Sequence, residues 1–551
     1  MSRREAWVTA LAIFAVALVI RGIAASFVPF AVPEGTAYYW GAARNVVEGR
    51  GLVSDALWSY YLPPLVLPRP AFEIWLPLPS FLALPAMTLL GTGFGAAQVS
   101  SVIVSSLVPV LAWRLAADLA VERDLPAVRA RVLAVGSGIV AAFYGSLVLF
   151  GMLPDSTAPF TVAALAACIL MERVAQRPGT IRLLDSRLVG IGIALGLAAL
   201  TRNEAIWYAA AWALVAWGIA RRVAVGSPTG ALARLGSFAR LVGTPAVVAM
   251  AVFAPWAARQ WAVFGSPLPG QAVSNAFWRT GLDVFAWHDP PTFSAWIAQG
   301  PAKLVADRVD GFRHNLGTVL LLTAIPVGPI GLIGLPWVVR SRVLRPLLIG
   351  GTLTFLATTL VFPVATTQGT FLHAAGPIQV LLVLSAMAGL DALVARVARA
   401  RSWGPGSAVL VPIGLLLVAV PFLAITVAGI GGVARDTQAR YEDLARRLEA
   451  AGVPLADAGP VISDHPIWIA EAFRVPALAL PDESPESVLD LARTFGASLL
   501  VLDSETAHGR WPAVLASGEP GAECFVPVPE AAVPTATTGG KETLVYRIAC
   551  P

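Results

Sequence analysis

A polytopic α-helical membrane protein of about eleven spans, with a small extracytoplasmic α/β domain at its C-terminal end, is the fold class the sequence predicts. Three observations predict it. The 551 residues are 57% hydrophobic and only 13% charged, about half the charge of a soluble domain. The apolar runs are separated by short clusters of Arg, the mark of cytoplasmic loops. After residue 432 the composition shifts abruptly to that of a soluble domain.

Spans are expected at 6–28, 96–118, 132–152, 158–175, 188–201, 204–220, 242–262, 316–339, 347–364, 372–391 and 408–432. The first run follows Arg3 and Arg4 but exceeds a leader's apolar region, and no small-x-small cleavage pattern follows it. It reads as a spanning helix with the N-terminus inside. The Arg groups 123/129/131, 173/177/182/187, 221/222/234/240, 340/342/345 and 396/399/401 then all face the cytoplasm. That pairing requires the stretch 72–91 to lie at the outer surface. Its Pro77, Pro79 and Pro85 support this, since each interior proline removes a helix hydrogen bond.

The membrane domain is thus expected over 1–432, with long external loops at 29–95 and 263–315, and an external domain over 433–551. In that domain YEDLARRLEAAG (441–452) reads as a helix stopped by Gly. PVISD (460–464), PALAL (476–480) and SLLVLDS (498–504) read as strands, and PESVLDLARTFGA (485–497) as a crossover helix. Cys524 and Cys550 sit where an oxidising compartment allows a pair, while Cys168 is alone in a span. The net charge of +5 is carried by Arg, with Lys303 and Lys541 the only lysines. It follows the loops and is no nucleic-acid signal. No Walker-type Gly loop occurs, which argues against ATP or a nucleotide sugar.

Ionisable groups gather on one expected face. Glu34 stands just past the first span, ahead of Tyr38, Tyr39 and Trp40. Asp155 lies in LPDST, the turn between the third and fourth spans. Arg202 and Glu204 lie in ALTRNEA, another short external turn. Each has a plain structural use: an interfacial anchor for Glu34, a helix N-cap for Asp155, a local ion pair for Arg202 and Glu204. Three separate turns placing charge on one face favour a functional site. Arg21, inside the first span, either snorkels or pairs with a first-loop acid.

PEGTAYYWGAARNVVEGRG (33–51) resembles the first-loop motif of the GT-C glycosyltransferases, the polytopic enzymes that include protein O-mannosyltransferases and the lipid A aminoarabinose transferases. There an acidic residue after the first span precedes a Tyr-containing amphipathic helix ending in Gly. LPDSTAPF, GIALGLAALTRNEAIW, APWAARQWAVFGSPLPG and FLHAAGPIQVLLVL are similar to the family's later motifs, in the same order. The resemblance covers most of residues 1–395. It implies an inverting hexosyl or pentosyl transfer from a polyprenyl-phosphate-linked sugar to a glycan, lipid or protein acceptor, at the outer face of the cytoplasmic membrane. Glu34 takes the place of the family's base, usually Asp and one methylene shorter. Asp155 would orient the acceptor or hold a metal. Arg202, Arg259 and His373 would meet the donor phosphate, although a lone helix-end His bonded to backbone is an equal reading of His373. Tyr38, Tyr39, Asp55, Trp58, Glu73 and Glu204 are the expected substrate contacts, with Asp55 and Glu73 as alternative bases. Plain interfacial anchoring is the other reading of the first-loop aromatics. Trp278, Trp287, His288, Asp289 and Trp296 form either a sugar platform or a packed cap.

No His, Cys or carboxylate cluster has metal-ligand spacing, so no metal ligand is named, although the resemblance admits a divalent ion held by first-loop acids. The lipid bilayer is an implied partner and nucleic acid is not. Three other functions remain open at this point. A transporter or flippase would show mid-membrane ionisable sites and inverted repeats, which the sequence lacks. A non-catalytic envelope scaffold would use the tail as its binding module. A polymerase or ligase would not explain the first-loop motif.

Overall fold

The computed structural model describes residues 2–176, 185–223, 230–268, 274–453, 455, 459–503, 509–534 and 542–550. Arg177, Arg182 and Lys541 lie outside the described residues.

Helices occupy all eleven stretches read as spans. Six are long and apolar enough to cross a membrane: 3–26, 94–122, 157–176, 231–264, 376–400 and 405–450. A seventh candidate is a pair, 300–322 and 327–337, bent by 109°. It replaces the straight span expected at 316–339. Pro326 sits at the bend, where a proline cannot donate to the helix ladder. The residues ahead of the bend, His314–Leu322, wind as a π-helix. The stretch 72–91 yields only a 13-residue helix, Leu78–Leu90, too short to cross.

The C-terminal part is built on a six-stranded sheet. Its strands are β2 (Ala56–Leu57), β4 (Val461–Ser463), β5 (Ala477–Ala479), β6 (Leu499–Asp503), β7 (Phe525–Pro527) and β8 (Thr543–Ile548). Their order is β2-β5-β4-β6-β8-β7; the first four are parallel, β8 is antiparallel to β6, and β7 is antiparallel to β8. A separate antiparallel pair, β1 (Val53–Ser54) with β3 (Arg69–Pro70), shapes the first loop. β4, β5 and β6 are buried on both faces, as parallel strands between helices must be. The crossover helix forms at Pro485–Phe495, capped by Ser484. Cys524 and Cys550 form a disulfide with Cα atoms 5.2 Å apart.

Two features depart from the expected arrangement. The helix read over 441–452 is the far end of a 41-residue helix, Leu410–Ala450, so the last apolar run passes into the C-terminal part without a break. The first loop also donates a strand: β2 closes the edge of the sheet against β5. Short-range pattern could not show this pairing, because the partners lie over 400 residues apart.

The first-loop helix Glu34–Val47 is sandwiched between the bundle and the C-terminal part. Nine of its 14 residues are buried. Arg44 forms an ion pair with Glu471 at 2.7 Å, both side chains almost fully covered. Gly41 makes the room: a Cβ there would stand 1.9 Å from the Glu471 carboxylate. Gly41→Ala must therefore push Glu471 off Arg44. We expect it to cost about 1–3 kcal/mol, read as a lower midpoint in thermal unfolding of the purified protein. An unchanged midpoint would show that the carboxylate has slack.

Candidate active site

Two clusters of polar groups meet the first-loop helix. The first is centred on Asp155. The turn Leu153–Ser156 follows the short helix Gly145–Leu149 and leads into Thr157–Gln176. Asp155 accepts from the Thr157 N–H at 2.7 Å and the Thr157 hydroxyl at 2.5 Å. This is the capping use expected of Asp at a helix start. His373 adds to it, with Nδ1 3.2 Å from the carboxylate. Burial alone would raise the Asp155 pKa. His373 and the Thr157 bonds outweigh burial and hold it at about 2. His373 sits in a separate short helix, Thr370–Ala374, just ahead of the helix Gly376–Ala400 rather than at its opening turn.

Arg202 joins the same cluster. It grips Glu204 through Nε and Nη2, at 3.1 and 2.8 Å. It also donates to the Ser156 hydroxyl at 2.9 Å and the Thr370 carbonyl at 3.0 Å. One guanidinium thus ties three chain segments together, a use suited to its planar fork of donors. The Tyr39 hydroxyl faces this cluster. Burial, then the Asp155 charge, push its pKa up, while Arg202 and Ser156 pull the other way.

The second cluster is centred on Glu34, at the first turn of the first-loop helix, where a carboxylate suits the helix dipole. Glu34 accepts from the Ile467 N–H at 2.8 Å, and His465 Nδ1 lies 3.3 Å away. Ile467 is in the first turn of the helix Pro466–Phe473, so a second helix N-terminus binds the same carboxylate. His465 Nε2 lies 3.5 Å from Asp503, and Asp503 is ion-paired with Arg440. Burial opposes charging of His465. Glu34, Asp464 and Asp503 outweigh it and raise its pKa to about 9.

The other expected site residues have settled partners. Asp55 is gripped by both terminal nitrogens of Arg50, at 2.7 and 2.6 Å. Glu73 is buried against Arg69 at 3.5 Å, and burial raises its pKa against that charge. Arg259 donates to the carbonyls of Ala71 and Leu52 and stacks on Trp256. It thereby pins the first loop to the helix Gly230–Phe264. The Tyr38 hydroxyl accepts from the Phe72 N–H at 2.6 Å. Phe72 is a non-glycine residue at φ 73°, and its strained backbone is held by that bond and by aromatic packing. Trp58 packs between Trp75 and Phe285. Arg21 is fully buried, with weak contacts to the Ala17 and Ala142 carbonyls and, among the described residues, no carboxylate partner. It neither snorkels nor pairs with a first-loop acid. Trp287, His288 and Asp289 dock through their N–H groups on Glu483, which makes this segment a cap against the C-terminal part.

Among the described residues, one set could hold a metal. Asp464, His465 and Asp503 bring one ligand atom each within 4.8 Å of one another. The set lies outside the first loops, where acids were expected to serve. One of its carboxylates, Asp503, is already ion-paired with Arg440, and no step below uses a metal. His465 was missed by sequence reasoning. A signal was present: Asp464 and His465 directly follow β4, and Asp503 ends β6. The carboxyl ends of parallel strands are where open α/β sheets place functional groups.

No protein-family model matches the chain, and no curated protein matches it. Solved structures do. ArnT from Cupriavidus metallidurans, solved bound to undecaprenyl phosphate, is similar over 98% of both chains, at 14% identity and a TM-score of 0.51. The chain has the GT-C fold. A weaker likeness joins it to the archaeal oligosaccharyltransferase AglB from Archaeoglobus fulgidus, solved with an inhibitory peptide and a dolichol-phosphate. That match has 15% identity, covers 96% of this chain and 73% of that one, and has a TM-score of 0.49. The two clusters meet the same helix, the Glu34 cluster at its first turn and the Asp155 cluster at Tyr39. Glu34 and Tyr39 are five residues apart, a rise of about 7.5 Å.

The raised pKa of His465 has a stability consequence. A histidine whose pKa is higher folded than unfolded stabilises fully below about 6.5, and the contribution is lost as pH rises towards about 9. Thermal midpoints measured across that window should fall with pH. His465→Gln should flatten the profile. An equally steep profile in the variant would assign the titration elsewhere.

Proposed function

We propose that the protein transfers a sugar, with inversion, from a polyprenyl-phosphate-linked donor to an acceptor at the outer face of the cytoplasmic membrane. The eleven helical stretches are read as eleven spans. That topology would put the first loop, the segment around Trp287 and the C-terminal sheet on the external side. The GT-C fold supports the reaction class, and the gathering of the 153–156, 200–204 and 370–374 segments supports one site.

The observation that carries the reading is the state of Glu34. A general base must be reachable and free to take a proton. Asp55, Glu73, Asp155 and Glu204 have side chains only 4–9% exposed, and three of them are paired with Arg. The fourth, Asp155, is held at a pKa of about 2, too weak a base. Glu34 is 19% exposed and, among the described residues, is bonded to no Arg. In the proposed step Glu34 takes the proton of the acceptor nucleophile as that atom attacks the anomeric carbon. The bond from that carbon to the phosphate oxygen breaks, and the lipid phosphate leaves with the electron pair. Inversion needs only this one carboxylate, in contrast to the pair of a glycosidase. His465 and the Ile467 N–H orient Glu34. Arg202 and His373 receive the departing phosphate, for which a guanidinium fork is suited. Asp155 keeps His373 in place, Tyr39 and Glu204 line the same side, and Arg259 holds the first loop in position. Tyr38 and Trp58 support the wall.

The test is transfer of radiolabelled mannose, glucose or arabinose from polyprenyl-phosphate donors by purified protein in lipid, with an envelope acceptor extract. Glu34→Gln should lower the rate by a factor of about 10² or more. Arg202→Gln should raise the donor KM. Transfer undiminished in Glu34→Gln would remove Glu34 as the base. No transfer from any donor, together with no binding of polyprenyl phosphate, would favour a scaffold.

A further inference from the structure

The helix Gly376–Ala400 starts beside the candidate site, where Gly376 abuts Thr161. Its far end carries Arg396 and Arg399, roughly 30 Å away along the axis. There it crosses the helices Val327–Gly334 and Leu335–Trp337 very closely. A Cβ on Gly389 would stand 3.1 Å from the Gly334 Cα, and one on Gly334 would stand 2.3 Å from the Ser385 carbonyl oxygen. The close crossing leaves a groove of about 280 Å³ beside it, walled by Ile330, Ile333, Trp337 and Leu393 and closed at one end by Arg396 and Arg399.

Charge decides what suits this groove. Arg396 and Arg399 are one helical turn apart, so they share a face. Both are exposed, and among the described residues neither meets a carboxylate within 4 Å. The nearby acids are committed: Asp391 is bound to Arg129, and Glu122 accepts from Ser341 and the Arg342 N–H. Two unpaired guanidinium groups at the mouth of an apolar groove fit a phosphate diester carrying acyl chains. Trp337, 45% exposed on the groove wall, has the ring type that favours the headgroup level. We propose that this groove is a binding site for an anionic diacyl phospholipid in the leaflet opposite the candidate active site. The phosphate sits on Arg396 and Arg399, and an acyl chain lies along Ile330, Ile333 and Leu393.

The test is native mass spectrometry of the purified full-length protein titrated with dioleoyl phosphatidylglycerol or dioleoyl phosphatidylcholine. Phosphatidylglycerol should bind about tenfold or more tightly. R396Q/R399Q should abolish the preference. R221Q/R222Q, at the same end of the bundle but outside the groove, should leave it intact. Ala392→Phe keeps both arginines and fills the groove, and it should weaken binding of phosphatidylglycerol. Equal binding of the two lipids by the wild type overturns the proposal, as does equal loss in both Arg pairs. Glycerol phosphate competing as well as the whole lipid would deny the acyl groove. Undecaprenyl phosphate displacing phosphatidylglycerol at equal concentration would reassign the groove to the transfer reaction.

Discussion

The contact on which most of this architecture rests is the seating of the C-terminal sheet on the first-loop helix. It is made by groups that cannot be left alone once buried. Glu34 is held by the Ile467 N–H and His465, and Arg44 is held by Glu471. Removing one member of a buried ion pair strands a charge, at a cost of about 3–5 kcal/mol. The pairing is therefore weak as glue and strong as a register mark. It sets where along the helix the sheet must sit, and β2 then extends that register into the sheet itself. Positioned this way, the helix carries Glu34 against His465 and, further along, Tyr39 toward the Asp155 cluster.

The carboxylates around this helix differ mainly in who neutralises them. Guanidinium forks close over Asp55 and Glu204, and Arg69 lies against Glu73. Asp155 has two bonds from Thr157 as well as its histidine. Only Glu34 is met by an imidazole and a backbone amide while still touching solvent. A fold that buries so many acids in one region must supply a partner for each, and Glu34, paired with His465, is the one that keeps the most contact with solvent.

Much of this was legible in the sequence. Apolar runs bounded by Arg found helix at all eleven expected positions, because the lipid environment demands long hydrogen-bonded apolar segments, whereas the helix Gly300–Arg313 lay in a stretch read as loop. The turns bearing Asp155 and Arg202 were read as neighbours on one face, and they are joined through Ser156. Strands β4, β5 and β6 fell where β-branched and Leu-rich runs ended in turn residues. Long-range pairings were not legible. Nothing local announces that Ala56 pairs with Ala477, that Gly41 is small because Glu471 needs its space, or that His465 reaches Glu34. Arg259 looked like a free cation near the outer face, and it is spent on carbonyls of the first loop. The bend before Val327 was hidden for another reason: hydropathy reports length of apolar chain, not its direction.

The edge strand β2 also bears on the order in which the molecule is made. Tyr60, just beyond β2, bonds to the Ala479 carbonyl across 419 positions of sequence. At ribosomal rates of about 5–20 residues per second, the first loop waits roughly 20–80 s before its partner strand exists. Throughout that interval Glu34 lacks the Ile467 N–H and His465, and Arg44 lacks Glu471. The first loop thus completes its contacts only after the segment 465–479 has been made.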